Sequence, residues 1–118
     1  MLSFKGFIRK QLREIINEQI ELLTKHIQPC EVIIDRYLNH GFDVKIGKTS
    51  NIENRFDTSY TDKGYKELIK VYKCPNKRIM DELEEELIRR YDGKIENDQI
   101  GGGNKSYTRD YWIYIVIK

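Results

Sequence analysis

The chain has 118 residues, enough for one domain with a modest core. Charged residues make up 34% of it, yet the formal net charge is only +2, which excludes a single-signed field over the whole protein and makes any basic surface local. No apolar run reaches the ~18 residues of a transmembrane helix, and the N-terminus lacks the apolar core and cleavage site of a signal peptide, so no membrane partner is expected.

Residues 3–27 read as an amphipathic helix. Phe4, Phe7, Ile8, Leu12, Ile15, Ile16, Ile20, Leu23 and Ile27 recur at three- and four-residue steps, with Lys5, Arg9, Lys10 and Arg13 around the other faces. Such a helix docks on the domain or on a second subunit; contact of its basic half with nucleic acid is the minority reading. Glu14, Glu18 and Glu21 dilute the charge that a membrane-surface helix needs. Pro29 is expected to break the helix, which divides the chain into an N-terminal helix, 1–27, and a domain, 28–118. Cys30 and Cys74 form no CxxC pair, and with His26 and His40 they match no zinc spacing. Reduced structural thiols, and with them an intracellular protein, are expected.

Glu31–Leu38 reads as a strand or a short helix, with Val32, Ile33 and Ile34 favouring the strand. Asn39-His40-Gly41 is then a turn and Asp43–Gly47 a second strand, although Gly41 serves equally as a helix cap. Ser50 with Glu53 three residues on is a capping-box pattern, so a helix should start there. Ile52 and Phe56 mark its buried side, and Arg55 lies near that side, where a guanidinium meets a carboxylate or a phosphate. Residues 57–65 read as a loop and Glu67–Cys74 as a strand. A helix follows from about Asn76 to Tyr91, stopped by Asp92-Gly93. The run Tyr111–Ile117 has strand length; Tyr111, Trp112 and Tyr114 read there as core or edge residues rather than a base-stacking platform.

Glu84 is the most informative position. At roughly 100° per residue, Met80, Leu83, Leu87 and Tyr91 form one apolar stripe, and Glu84 falls inside it. Glu82, Glu85 and Glu86 point elsewhere. A carboxylate on a buried face is costly unless a cation, a donor or a metal compensates it. Without further information, an ion pair with Arg55 is the plain alternative.

The order hairpin, KIGKT, capped helix with Arg55, strand, helix with Glu84, then Asn97 and Gly101-Gly102, over about residues 31–104, resembles the GIY-YIG endonuclease superfamily. The resemblance is closest to the branch whose second strand reads VKIGKT, found in phage and viral proteins; VKIGKTSNIENRF is its most specific stretch. It implies an α+β fold, a small antiparallel sheet flanked by helices, here with the added N-terminal amphipathic helix. It implies metal-dependent hydrolysis of nucleic-acid phosphodiester bonds, with DNA the expected polymer. Arg55 matches the phosphate-binding arginine, Glu84 the ligand of Mg²⁺ or Mn²⁺, Asn97 the supporting asparagine with Asn104 as second choice, and Gly47 the motif glycine. Lys48 and Thr49 would sit near the phosphate, with a solvated strand end as the equal alternative. The motif tyrosines are replaced: Ile34 stands where the first would be and Lys45 where the second would be. Lys45, or Tyr37 in a shifted strand register, would have to supply the missing group. Ser59 holds the place of the usual aromatic or His after the arginine, with Tyr60 next to it. Two other readings stand beside the nuclease: an inactive nucleic-acid-binding relative, and an interaction domain dimerising through the N-terminal helix.

Overall fold

A computed structural model describes residues 4–97 and 110–118, with all side chains there except those of residues 19–22 and 58–59. The elements are α1 (Phe4–Asn39), β1 (Val44–Thr49), α2 (Ile52–Ser59), a 3-10 turn (Thr61–Lys63), β2 (Glu67–Cys74), α3 (Lys77–Arg90) and β3 (Tyr111–Ile117). The fold is α+β, as expected: an antiparallel three-stranded sheet with helices against it.

The main departure lies between residues 28 and 43. Glu31–Leu38 is not a strand and forms no hairpin with β1. It lies within the last third of α1, which crosses Pro29 and the expected boundary at 27/28 as one 36-residue helix. Proline inside a helix costs ~3 kcal/mol. Ile27, Cys30 and Ile34 on the domain-facing side are at most 1% exposed, and burying each large apolar side chain returns ~1.5–3 kcal/mol. Packing therefore outweighs the break. The helix ends in a Schellman motif: Gly41 takes a left-handed φ of 84°, Gly41 N–H donates to Leu38 O at 3.0 Å, and Phe42 N–H donates to Tyr37 O at 3.2 Å. The Tyr37 and Phe42 rings meet edge-on at 5.8 Å, the apolar contact that accompanies this cap.

The strand order is β1-β3-β2, so the C-terminal strand is central and pairs antiparallel with both others. Its sequence, YWIYIVI, suits a strand covered on both faces, where a near-continuous apolar run replaces alternation. Ile113, Ile115 and Ile117 enter a core shared with Val44, Ile46, α1 and α3, whereas Tyr114 and Val116 pack with Ile52 and Tyr60 on the α2 face. β1 is an edge strand whose outer side is covered locally. Glu96 N–H donates to Val44 O at 2.9 Å. Asn97 Nδ2 donates to Ile46 O at 2.7 Å, and Asn97 Oδ1 accepts from Ile46 N–H at 2.8 Å. These bonds occupy groups that would otherwise template pairing with another strand.

α3 follows the sequence reading closely. Asn76 caps it, its side chain accepting from Ile79 N–H at 2.8 Å. Met80, Leu83, Leu87 and Tyr91 are buried, joined by Ile79 and Ile88. Glu85–Arg89 and Glu86–Arg90 ion pairs run along its outer face. α2 starts one residue later than the capping box predicts. Asn51 is its N-cap, without a side-chain cap bond; Ser50 is buried, and Thr49 Oγ1 accepts from Asn51 N–H at 3.0 Å.

Candidate active site

β1 distributes two sets of side chains to the two faces of the sheet. Strand alternation sends Val44, Ile46 and Lys48 toward α3, and Lys45, Gly47 and Thr49 toward α2.

On the α3 side, Glu84 is 5% exposed, as its place in the apolar stripe requires. Lys48 donates to Asp81 Oδ1 at 3.0 Å and its ammonium lies 3.7 Å from Glu84 Oε1. The second distance is an ion pair without a hydrogen bond, and among the described residues Glu84 Oε1 has no hydrogen-bond partner. Burial pushes the Glu84 carboxyl above its ordinary range; the charges of Lys48 and Arg55 pull the other way without cancelling it. Burial also raises Asp81, but hydrogen bonds from Lys77 and Lys48 outweigh it and hold that carboxyl below its usual range. Lys48 is thus no solvated strand end. It bridges two carboxylates and leaves the deeper one under-compensated.

On the α2 side, Arg55 Nε donates to the Tyr114 hydroxyl at 2.9 Å. The Tyr114 and Tyr60 hydroxyls hydrogen-bond each other at 2.7 Å, and either can be the donor. Tyr114 is fully buried and Tyr60 nearly so, while Arg55 is half-buried. Burial, then the neighbouring Tyr60, pushes the Tyr114 hydroxyl far above the phenolic range, against the opposing pull of Arg55, so it stays protonated. Gly47 is the register partner of Tyr114. A Cβ on Gly47 would fall within 2.7 Å of Tyr114 Cε2 and closer still to Cζ and the hydroxyl. The glycine leaves room for a tyrosine ring on the next strand. Lys45 lies over the Tyr60 ring, 5.8 Å from its centroid. The Arg55 charge is the weakest of the influences on the Glu84 carboxyl.

The expected site residues are thus placed as follows. Arg55, Gly47 and Tyr60 gather around Tyr114, with Lys45 over the Tyr60 ring, and Glu84 and Lys48 gather beside Asp81. Thr49 is buried and binds Asn51 N–H. Asn97 is a clamp on β1 next to Gly47, since both ends of its amide are taken by Ile46. Tyr37 is corrected: it sits on α1 in the helix cap and belongs to no strand register. Ile34 is likewise a helical core residue. Asn104 and Gly101-Gly102 lie outside the described residues.

Tyr114 was expected at core or edge and is a buried core residue; the bonds of its hydroxyl to Arg55 and Tyr60 were not foreseen. The signal was present: a tyrosine inside an apolar run needs a partner for its hydroxyl, and a motif glycine without a local turn needs a neighbour that fills its space.

The chain matched no family model, no curated protein and no solved structure.

Among the described residues, no group of three or more His, Cys, Asp or Glu side chains converges, and no helix is long and apolar enough to cross a membrane. Cys30 and Cys74 are buried, free thiols. Burial is the main cause that pushes each to about 12, so neither is a ready thiolate ligand or nucleophile. What bears on a divalent cation is Glu84: its Oε1 is a buried carboxylate oxygen without a hydrogen-bond partner among the described residues, the kind of hard oxygen ligand such a cation takes, with the Lys48 ammonium 3.7 Å away.

Proposed function

We propose that the chain is a metal-dependent endonuclease of GIY-YIG type, in which the motif tyrosine comes from the last strand instead of the first. One observation carries this reading: the hydrogen bond from Arg55 to Tyr114, set over the bare backbone of Gly47. The resemblance requires an arginine, a glycine and a tyrosine around one strand end, and it lacked the tyrosine as long as Glu31–Leu38 was read as the first strand. β3 lies antiparallel to β1, as that strand was expected to, and it brings Tyr114 opposite Gly47.

Each residue then has a definable part. Tyr114 fixes the plane of the Arg55 guanidinium by accepting from Nε. A planar fork held in one orientation can bind two phosphate oxygens and offset the charge that builds on them. Tyr114 is buried and protonated, so it acts as a positioning residue and not as the base. Asn97 holds β1 at Ile46 and with it the adjacent glycine. Glu84, backed by Asp81, would hold the Mg²⁺ or Mn²⁺. Such an ion, when bound, supplies Lewis-acid polarisation and lowers the pKa of a bound water. Lys48 offsets part of the charge of the two carboxylates while that position is not engaged.

The Lys48 ammonium beside Glu84 is also the observation that favours the second reading, an inactive nucleic-acid-binding relative. A fixed cation next to the carboxylate competes with a metal for its charge. Divalent-cation-dependent cleavage of supercoiled plasmid and single-stranded DNA separates the two. The nuclease reading requires it, and the binding reading leaves only association weakened by salt.

A further inference from the structure

The first part of α1 is the largest feature that this site does not use. Phe4 is 78% exposed, Leu12 54% and Ile15 51%, and Phe7, Ile8 and Ile16 are exposed as well. At roughly 100° per residue these six side chains cover about half of the helix circumference. Lys5 and Arg9 flank one edge of that arc, and Lys10 and Arg13 lie on the face behind it. Over residues 4–16 the four cations and the single carboxylate, Glu14, give 4 − 1 = +3, while the whole chain has a net charge of +2. Everything outside this segment therefore sums to −1, and the basic character of the protein is concentrated here. Glu18 and Glu21 follow Ile16 in sequence, outside this segment.

We propose that residues 4–16 form an in-plane anchor for an anionic lipid surface. A broad apolar face with Phe and Ile, backed by Lys and Arg and low in net hydrophobicity, is the composition of a helix that lies in the headgroup boundary. Basic side chains at the edge of the arc reach up to the headgroups while their stems stay in contact with the apolar layer. This fits the charge better than a second copy of the arm does. Lys5 and Arg9 lie on one edge of the stripe, and Glu14 and Glu18 on the other and later in the chain. An antiparallel pair sets each edge against itself, and a parallel pair sets the cations against the partner's residues before Glu14. Neither brings opposite charges together. The proposal departs from the expectation of no membrane partner, which followed from the absence of a spanning segment; lying on a bilayer requires none.

The test uses the full chain with vesicles of phosphatidylcholine alone and of phosphatidylcholine with phosphatidylserine at roughly one in three, read by co-sedimentation. Sedimentation analysis of the protein without lipid accompanies it. The expected result is a monomer that binds the phosphatidylserine vesicles at least tenfold more tightly than the neutral ones. Arg9→Gln with Arg13→Gln should lower that partitioning about 30-fold, at ~1 kcal/mol per basic residue near such a surface. Leu12→Ser with Ile15→Ser should abolish binding. All four side chains are exposed, so both variants should keep the melting temperature of the domain. Three results would overturn the proposal: no binding to phosphatidylserine vesicles, binding indifferent to Leu12 and Ile15, or a lipid-free dimer that Leu12→Ser with Ile15→Ser disperses.

Discussion

Tyr114 accepts a hydrogen bond from Arg55 across 59 positions of sequence, at 2.9 Å. Nothing local in the chain prepares this contact. It depends on β3 running antiparallel to β1, which sets Tyr114 on the same face as α2. Tyr114→Phe keeps the ring and removes the hydroxyl, leaving Arg55 Nε and Tyr60 without that partner. Loss of a buried partner costs about 1–3 kcal/mol. The variant should remain folded with a lower melting temperature, and its cleavage should fall roughly 10–100-fold, in kcat more than in KM, because the guanidinium loses its fixed plane. Arg55→Lys should not restore activity in this background, since an ammonium has no fork to orient. A purely structural role would leave kcat unchanged at temperatures well below melting.

Gly47 and Tyr114 make a second testable pair. Gly47→Ala places a methyl inside the space of a buried ring, and overpacking of this kind costs about 1–3 kcal/mol. Tyr114→Ala removes the obstacle. In a double-mutant cycle the combined change should cost less than the sum of the two single changes by more than about 0.5 kcal/mol, the scale expected of residues in contact. Additive costs, measured by urea denaturation, would mean that the ring does not occupy that space.

Glu84 contributes to stability with a definite sign. Its folded pKa is raised by burial above the ordinary value of about 4.3. The folded state therefore binds the proton more tightly than the unfolded one. The resulting stability is fully present below the unfolded pKa and is lost as pH rises through the raised folded value. Glu84→Gln cannot ionise. It should be more stable than the parent at pH 8, by about 1–3 kcal/mol if the uncompensated oxygen dominates, and the gap should close below about pH 4. Mg²⁺ or Mn²⁺ should raise the melting temperature of the parent at pH 8 and leave that of Glu84→Gln unchanged. Thermal melts across pH and metal concentration check both statements.

The continuity of α1 through Pro29 is open to a simple measurement. Pro29 is exposed, and Pro29→Ala restores a backbone donor and removes the ring's clash with the preceding turn. It should stabilise the protein by up to ~3 kcal/mol and leave the helical circular-dichroism signal at least as strong. Destabilisation would contradict a helix that runs unbroken through this position.

The parts of the fold that a local pattern specifies were legible in the sequence. Asn76 to Tyr91 carries a cap, a period and a stop, and α3 follows them. Glu67–Cys74 forms a strand over the residues expected. Glu84 faces inward for the reason its spacing suggested. What was not legible depends on tertiary contacts. Val32, Ile33 and Ile34 favour a strand by propensity, yet Ile34 is buried as part of a helix whose period extends from Ile27 through Cys30, and packing overrode both propensity and Pro29. The partner of β1 could not be read, because an apolar run such as Tyr111–Ile117 does not say which strands will flank it. Misplacing that partner put Ile34 and Tyr37 on a strand that does not form. Asn97 was singled out as a supporting residue, and its hydrogen bonds to Ile46 depend on β1 being an edge strand.

The claim that Arg55, Tyr114 and Glu84 form one hydrolytic site is tested most directly by incubating supercoiled plasmid with the protein and with its Arg55→Ala and Glu84→Gln variants, with Mg²⁺, with Mn²⁺ and with chelator. The account predicts nicking by the parent protein that chelator abolishes, and a loss of at least 100-fold in each variant while both stay folded. Absence of metal-dependent nicking by the parent, or nicking that persists in Glu84→Gln, would contradict it.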